Sequence, residues 1–408
     1  MSRVVNRFLR YIKIDTASSE NADSFPSTDK QFNLARLLAK ELRELGAQDV
    51  YLDDKYCYVY ATIPASSGRE KDKVTGFIAH MDTSPETSGT DVKPRIINDY
   101  DGKDISLGDS GLVLSTKNFP ELKRYMGLNL IVTSGDTLLG GDDKAGIAEI
   151  MTMAENFLTQ SDKYSHGEIR IAFTPDEEIG NGVDRFDLER FGADYAYTVD
   201  GGALGELEYE NFNAASLEVN IKGVTVHPGE AKDKMKNATR IAMEFDSMLP
   251  NQDRPENTSG YEGFFHLCSM TGNVEEASLS YIIRDHSREL FENKKKLAIE
   301  VAEKLNKKYG PSSVQLKIED SYYNMREKIE PEFMFLVDNV RECMEKLAIE
   351  PIVTPIRGGT DGARLSFMGL PCPNICTGGH NFHGKYEYIC IESMEKIAEL
   401  LTTVACKQ

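Results

Sequence analysis

Residue types that bind metal ions follow four predicted strands of this sequence. They are His80 and Asp82 at the end of "GFIAH", the triplet Asp176, Glu177 and Glu178 after "IAFTP", Asp200 at the end of "YTVD", and His380, His383 and Glu387 after "NICT". Functional groups in open α/β sheets gather where strands end. Two neutral imidazoles and three carboxylates at separate strand ends suit a pair of divalent ions, with zinc, manganese or cobalt as natural candidates.

A fifth stretch, "SGDTLLGGDDKAG" at residues 134–146, has the glycines and lysine of a phosphate-binding loop but not its spacing. A P-loop needs four free positions between its glycines and a Gly-Lys-Ser/Thr ending. Here the lysine follows Asp142 and Asp143, at the start of a predicted helix. Carboxylates at a helix N-terminus repel a phosphate, so this turn is predicted to bind a cation.

Each stretch also has an ordinary structural interpretation. His80 and Asp82 could form a hydrogen-bonded pair, the acidic triplet could be a solvated turn, and Asp142 could cap a helix. Asp200 could start a turn, and His383 could lie on a polar loop. Only the combination of all these residues favours a metal site.

The predicted elements place these residues in an α/β layer architecture. Strand-like and helical segments alternate up to about residue 211, and the order then changes to strand, helix, strand, strand, helix, strand. That βαββαβ order is typical of a ferredoxin-like domain. We therefore predict a catalytic domain in two parts, 1–211 and 323–408, interrupted by an inserted lid domain at 212–322, and we expect residues 85–105 to form an ordered loop.

Composition excludes several classes of partner. The chain has 408 residues and a net charge of −19, which disfavours binding to nucleic acids and to anionic membranes. Its seven cysteines include no Cys-x-x-Cys pair, so we expect reduced thiols and a cytoplasmic location. The first helical segment, with Val4, Val5 and Phe8 at helical spacing, has charges throughout and is not expected to be a signal peptide.

The motifs occur in the order and spacing found in the M20 metallopeptidases, which this chain resembles from about residue 8 to residue 388. The motifs that carry the resemblance are "HMDTSPE", "GDTLLGGDDKAG", "TPDEEIG", "TVDGG", "RGGTDGARLSFMGLP" and "HGKYE". The resemblance is strongest to members of the family that release the N-terminal residue from tripeptides by attack of a metal-bridging water. It implies a zinc-peptidase-like catalytic domain and two divalent metal ions, with zinc preferred to manganese or cobalt. A homodimer formed through the lid is compatible with it.

The resemblance also implies a role for each site residue. The two ions would share Asp142, one bound by His80 and Asp200 and the other by Glu178 and His383. Asp82 would orient His80, and Glu177 would be the general base. His383 is preferred to His380 as the ligand because the His-x-x-x-Glu spacing to Glu387 is the family's pattern. The residues implied to face a short peptide substrate are Arg357 and, from the lid, His227, Asn237 and Arg284.

Alternatives to these roles remain open from the residues alone. His227 could be a capping histidine, and Arg284 and Arg357 could form ion pairs. Another M20 activity, as a dipeptidase, carboxypeptidase or deacylase, is the main enzymatic alternative. A peptide-binding relative without catalysis would be expected to lack a ligand or the base, and all of these residues are present.

Overall fold

The protein is described here by a computed structural model that covers residues 1–407. Two compact units make up the chain: Met1–Tyr209 with Lys328–Thr354 and the segment from Thr360, and Glu210–Glu327 with Pro355–Gly359. The second unit therefore includes Pro355–Gly359, a segment that the sequence analysis had assigned to the catalytic domain. The use of the second unit as a lid stays a prediction.

The helices, numbered in chain order, are α1 (Arg3–Tyr11), α2 (Gln31–Leu45), α3 (Gly141–Thr159), α4 (Leu188–Phe191), α5 (Ala238–Met248), α6 (Arg288–Tyr309), α7 (Arg326–Ile329), α8 (Met334–Lys346), α9 (Asp361–Met368) and α10 (Ile391–Lys407). None within residues 1–407 is long and apolar enough to cross a membrane.

The strands are β1 (Gln48–Leu52), β2 (Val59–Ile63), β3 (Thr75–His80), β4 (Arg95–Ile97), β5 (Ile105–Leu107), β6 (Leu112–Leu114), β7 (Leu130–Val132), β8 (Ile169–Thr174), β9 (Tyr195–Gly201), β10 (Glu206–Glu208), β11 (Asn213–Lys222), β12 (Phe264–Gly272), β13 (Glu276–Asp285), β14 (Val314–Tyr322), β15 (Ile352–Val353), β16 (Asn374–Cys376), β17 (Gly379–His380) and β18 (Tyr388–Cys390).

The first unit is built on an eight-stranded sheet in the order β1-β2-β8-β3-β9-β16-β10-β15. Its central strands β8, β3, β9 and β16 are parallel. β3 is buried along its whole length, as expected for a parallel strand covered on both faces. The larger core includes buried residues of α1, α2, α3, α8 and α10, and a smaller apolar cluster includes Phe191 of α4 and Leu365 of α9. The predicted α/β architecture is confirmed.

Local sequence explains how α3, which carries Asp142, approaches the sheet. A Cβ on Gly146 would lie 2.0 Å from the carbonyl oxygen of Val199 in β9. Only glycine allows this close contact without moving the backbone. The N-terminal end of α3 consequently lies against the strand that carries Asp200.

The second unit has the predicted ferredoxin-like arrangement. Its elements follow the order β11, α5, β12, β13, α6, β14, and the four strands form an antiparallel sheet in the order β12-β13-β11-β14. Alternate residues of β11 and β13 are buried, and α5 and α6 contribute to the same apolar core. This unit therefore has a core of its own.

Two expectations for the first unit were incomplete. Residues 85–105, expected as a loop, include β4 and the first residue of β5, and β4 joins a second sheet in the order β17-β18-β7-β4. The sequence "PIVTPI" at 351–356 predicts a strand of six residues, but the strand is limited to the two residues of β15. Proline lacks a donor for a strand ladder, and Pro351 and Pro355 lie on either side of β15.

Candidate metal centre

The carboxyl ends of the central strands bring the predicted ligands together in the first unit. β3 ends at His80, and Asp200 is the penultimate residue of β9. Glu178 lies in a short 3-10 turn after β8, and Asp142 is at the N-terminal end of α3, where its φ and ψ are not helical. His383 lies between β17 and β18. These residues are between 22 and 303 positions apart in sequence, and only the fold makes them neighbours.

Two groups of ligand atoms share Asp142. His80 Nε2 lies 2.8 Å from Asp142 Oδ1 and 3.3 Å from Asp200 Oδ1. His383 Nε2 lies 3.2 Å from Asp142 Oδ2 and 2.9 Å from Glu178 Oε2. Within each group of three residues, the ligand atoms lie within 4.8 Å of one another. The two oxygens of Asp142 therefore face different histidines, as a carboxylate that bridges two metal ions would require.

The electrostatics of the two groups fit cations. Glu178 Oε1 is buried and has no hydrogen-bond partner within residues 1–407. Burial and the charge of Asp142 raise the pKa of Glu178 to about 8, and hydrogen bonds to Asp142 and Glu178 raise the pKa of His383 to about 11. Burial opposes ionisation of Asp142, but hydrogen bonds from His383 and His80 outweigh it and lower its pKa. Two divalent ions would replace the protons that His383 and Glu178 otherwise retain.

Asp82 contacts both the first histidine and the turn that carries the acidic triplet. His80 Nδ1 donates to the backbone oxygen of Asp82 at 3.0 Å, and the carboxylate oxygen Oδ1 is 3.4 Å away. With its proton on Nδ1, His80 can bind a metal ion through the lone pair of Nε2. The Asp82 carboxylate accepts the backbone N–H groups of Glu177 and Glu178 at 3.0 and 3.2 Å. The second set of bonds was not predicted from the sequence.

Glu177 lies beside the two groups without belonging to either. It is half-buried at the start of the 3-10 turn Glu177–Ile179, next to Glu178 of the second group. Removal from water and the negative charge of Asp200 raise the pKa of Glu177 above its usual range. Because Glu177 is in neither group, its carboxyl group is available to accept and donate a proton.

Comparison with known proteins identifies the family. Residues 209–313 match a family described as the peptidase dimerisation domain. The chain is 55% identical to peptidase T of Alkaliphilus oremlandii and 56% identical to peptidase T of Halothermothrix orenii, and each alignment covers 99% of this chain and 98% of the relative. The chain belongs to the peptidase T family. The crystal structure of the aminopeptidase PepT from Bacillus cereus has the same fold, with a TM-score of 0.77 at 24% identity over 99% of this chain and 97% of that one.

The structure separates the two histidines of the "HNFH" stretch in this peptidase T family member. His380 Nε2 is 2.5 Å from the Tyr125 hydroxyl, and its ring stacks on Tyr388 with centroids 4.8 Å apart. Burial lowers the pKa of His380 to about 4, so the ring is neutral. His380 belongs to neither ligand group, whereas His383 contacts Asp142.

Glu387 has a role that the sequence indicated only through its spacing from His383. Its buried carboxylate accepts backbone N–H groups of four consecutive residues, at 2.7 Å from Leu139, 3.0 Å from Gly140, 2.5 Å from Gly141 and 3.4 Å from Asp142. These N–H groups belong to the turn that leads into α3. Glu387 therefore fixes the backbone on which Asp142 lies.

Two of the predicted substrate-binding residues cap short helical segments in the second unit. His227 Nδ1 accepts the N–H of Gly229 at 3.2 Å, and the His227 side chain is exposed. Asn237 Oδ1 accepts the N–H of Arg240 at 3.3 Å and so caps α5. The capping interpretation of His227 thus describes one of its contacts. A role in substrate binding stays a prediction for both residues.

The two arginines predicted to bind substrate, Arg284 and Arg357, differ in how many of their donors are engaged. Arg357 Nη1 donates to the carbonyl oxygens of Gly260 and Glu262 at 2.6 and 3.1 Å, and its Nη2 donates to Thr258 Oγ1 at 3.0 Å. The guanidinium group of Arg357 therefore stabilises the loop at 258–262. Within residues 1–407, only Nη1 of Arg284 has acceptors, namely two backbone carbonyls at 3.0 and 3.4 Å. Arg284 retains Nε and Nη2 for another partner.

Proposed function

We propose that this chain is a dinuclear-metal aminopeptidase that releases the N-terminal residue from tripeptides. Two relatives named peptidase T are 55 and 56% identical to it over nearly the whole chain. Every residue that the resemblance assigned to metal binding and to catalysis is present. At this level of identity over both units, we favour the tripeptidase over a dipeptidase, carboxypeptidase, deacylase or non-catalytic relative.

One observation carries the proposal for the chemistry. The Oδ1 and Oδ2 atoms of Asp142 are directed to His80 and His383, 2.8 and 3.2 Å away, and Glu177 lies beside them as a non-ligand carboxyl group. Two metal ions that share one carboxylate require this division of the two oxygens of Asp142 between the two groups. We assign His80, Asp142 and Asp200 to one ion, and Asp142, Glu178 and His383 to the other.

The chain's own residues would move the proton during hydrolysis. When bound, two divalent ions supply Lewis-acid polarisation of the scissile carbonyl and lower the pKa of the attacking water. Glu177 takes a proton from that water while the water oxygen adds to the carbonyl carbon of the first peptide bond. As the C–N bond breaks, Glu177 returns the proton to the amine nitrogen. Asp82 keeps His80 in the required tautomer and holds the backbone of Glu177.

Zinc is the metal that we propose for both positions. Each group has one imidazole and two carboxylate oxygens, with Asp142 common to both. Nitrogen and oxygen donors in this proportion suit borderline-hard ions such as zinc, and manganese or cobalt would be accepted by the same ligands. Metal analysis of the protein purified from its own source would decide among them.

Arg284 is our candidate for recognition of the substrate's C-terminal carboxylate. It has N–H donors without acceptors among residues 1–407, and a guanidinium group can bind a carboxylate through two parallel hydrogen bonds. The engaged donors of Arg357 make it the second choice. We keep His227 and Asn237 as further residues that contact the peptide.

We also propose a homodimer formed through the second unit. Residues 209–313 match the peptidase dimerisation domain family. β12 is an edge strand of the four-stranded sheet, so one side of its backbone is open to pairing. Light scattering on the purified protein should give a mass of about twice 45.6 kDa. A monomer at micromolar concentration would contradict this part of the proposal.

Removal and readdition of metal, with Glu177→Gln and Glu189→Gln as matched variants, tests the catalytic proposal. The metal-free protein should not cleave di-, tri- or tetrapeptides, and zinc should restore cleavage of tripeptides with a free N-terminus above all. Glu177→Gln should retain two metal ions and lower kcat by about 100-fold or more, which is the usual contribution of a general base. Glu189 is exposed on α4, and its replacement should leave kcat unchanged. A near-normal rate for Glu177→Gln would remove it from the mechanism.

A further inference from the structure

Asp176, the residue directly before the proposed general base, is fully buried and bound by a distant part of the chain. Its Oδ2 accepts the N–H of Ser27 at 2.6 Å. Its Oδ1 accepts both the Ser27 hydroxyl at 2.5 Å and the Gln31 side-chain amide at 2.6 Å. In return, Gln31 Oε1 accepts the backbone N–H of Asp176 at 3.2 Å. We call these four bonds, made by Ser27, Gln31 and Asp176, the Asp176 clamp.

The clamp fixes a backbone conformation that an aspartate adopts only at a cost. Asp176 has φ 54° and ψ 26°, in the left-handed region. Both of its backbone polar groups are engaged, because the N–H is bound by Gln31 and the carbonyl oxygen accepts the N–H of Asn181 at 3.0 Å. The next residue, Glu177, begins the 3-10 turn. The direction in which the chain enters Glu177 is thus set by the clamp.

The other end of the clamp is rigid. Gln31 is the first residue of α2, which packs into the main core through buried residues such as Leu34, Leu38 and Leu42. Gln31 itself is 0% exposed and Ser27 is 7% exposed. A side chain on a packed helix holds its hydrogen-bond partner in a more precise position than a side chain on a free loop does. Asp82 also accepts the N–H of Glu177, so the clamp holds the backbone at Asp176 and Asp82 holds it at Glu177.

We infer that Ser27 and Gln31 are positioning residues for the proposed general base Glu177, acting through Asp176. This inference rests on the proposed function, because it assigns the clamp to the placement of a base. A base must lie within hydrogen-bond reach of the proton that it removes, so a small change in the entry to Glu177 changes the rate. Within residues 1–407, neither Ser27 nor Gln31 makes a hydrogen bond to a residue of the two ligand groups, so the clamp should act on kcat and leave metal binding intact.

The decisive experiment is a double-mutant cycle between Gln31 and Glu177. Gln31→Ala should lower kcat by about tenfold or more, with KM within about threefold and two metal ions retained. In the Glu177→Gln background, Gln31→Ala should change kcat by less than about twofold, because the base it positions is already absent. An equal loss in both backgrounds, or a loss of metal in Gln31→Ala, would overturn the inference.

Asn306 offers a matched control in the second unit. Like Gln31, it makes two reciprocal hydrogen bonds to a single residue. The Asn306 side-chain amide donates to the carbonyl oxygen of Val314 and accepts the Val314 N–H, both at 2.9 Å. Asn306→Ala should leave kcat unchanged. Hydrogen exchange of the peptide containing Glu177 should accelerate in metal-free Gln31→Ala and not in metal-free Asn306→Ala. No change of exchange in Gln31→Ala would also count against the clamp.

An exchange of chemical groups tests the hydrogen bonds themselves. Gln31→Glu places two carboxyl groups against each other and should lower kcat as Gln31→Ala does. Adding Asp176→Asn restores a donor opposite an acceptor and should return kcat to within about threefold of the unaltered protein. If Gln31→Ala does not fold, Ser27→Ala replaces it in the cycle and must show the same dependence on Glu177. If Ser27→Ala shows none, the inference is wrong.

The two proposals fail in different ways. If Glu177→Gln retains a near-normal kcat, the assignment of the base is wrong and the role of the clamp is lost with it. If Glu177→Gln loses its activity and the Gln31 variants keep theirs, the base stands and only the clamp is refuted.

Discussion

Replacement of Glu387 by glutamine tests whether the turn before α3 is what places Asp142. The Glu387 carboxylate is 2% exposed and accepts four backbone N–H groups, from Leu139, Gly140, Gly141 and Asp142. Glutamine has nearly the same shape but offers one acceptor oxygen and one donor nitrogen. Whichever way its amide is turned, two of the four N–H groups face a donor instead of an acceptor.

The expected cost follows from those lost bonds. Hydrogen bonds to a charged group contribute about 1.5–3 kcal/mol each, so two lost bonds amount to about 3–6 kcal/mol. Part of this is offset, because burial raises the pKa of Glu387 to about 7 and the buried charge is removed in the variant. We expect a net cost of about 2–4 kcal/mol. For every 1.4 kcal/mol of this cost that is borne by the metal-binding conformation of Asp142, the affinity for metal should fall by about tenfold.

The assay is calorimetric titration of zinc into the metal-free protein, together with its urea unfolding. Glu387→Gln should weaken the binding of both ions, since Asp142 belongs to both groups. Glu392→Gln is the matched control. The Glu392 carboxylate also accepts a backbone N–H, that of Asn129 at 3.0 Å, and it accepts the side-chain amide of Asn129 at 2.6 Å. Glu392→Gln should leave zinc affinity unchanged. Unaltered zinc affinity in Glu387→Gln would refute the reasoning.

Three further predictions concern metal, pH and substrate. Asp142→Ala should lose both ions, His383→Ala should mainly weaken one, and His380→Ala should retain two; metal analysis checks all three. In the metal-free protein, the pKa values of His383 (about 11) and Glu178 (about 8) are raised, so their protonated forms stabilise the folded state at low pH. The free energy of unfolding in urea should therefore fall as the pH rises between about 5 and 11. Bound zinc should abolish that decline. C-terminal amidation of a tripeptide should lower kcat/KM by a factor that corresponds to about 1.5–3 kcal/mol of transition-state stabilisation. Arg284→Ala should remove most of this difference between the free and the amidated peptide.

Elements with a strong local pattern could be predicted from the sequence. The spacing of Val4, Val5 and Phe8 indicated α1, and these residues are buried. The apolar run "GFIAH" indicated a strand, and β3 is buried along its whole length. In the second unit, the order of strands and helices was sufficient for the ferredoxin-like arrangement. Its long strands have a clear period of two: buried and less buried residues alternate along the whole of β13 and from Ala215 onward in β11.

The second sheet of the first unit could not be predicted in the same way. β4 and β7 have three residues each and β17 has two, which is too short for a period to be recognised. Their pairing joins residues distant in sequence, such as Ile96 with Ile131. The Asp176 clamp escaped the sequence analysis for the same reason, since Gln31 and Asp176 are 145 positions apart.

The loop between β17 and β18 explains why the spacing of His383 and Glu387 was informative. In β17, His380 pairs with Tyr388 of β18, which commits it to the second sheet, whereas His383 has a positive φ of 62° in the loop. Glu387, at the end of the same loop, binds the N–H groups that lead to Asp142, and His383 contacts the Asp142 carboxylate. One short loop therefore carries the proposed ligand His383 and fixes the backbone of Asp142, the proposed shared ligand. The four-residue spacing allows both contacts to be made from one loop, so we expect a change in loop length to disturb both ligand groups together.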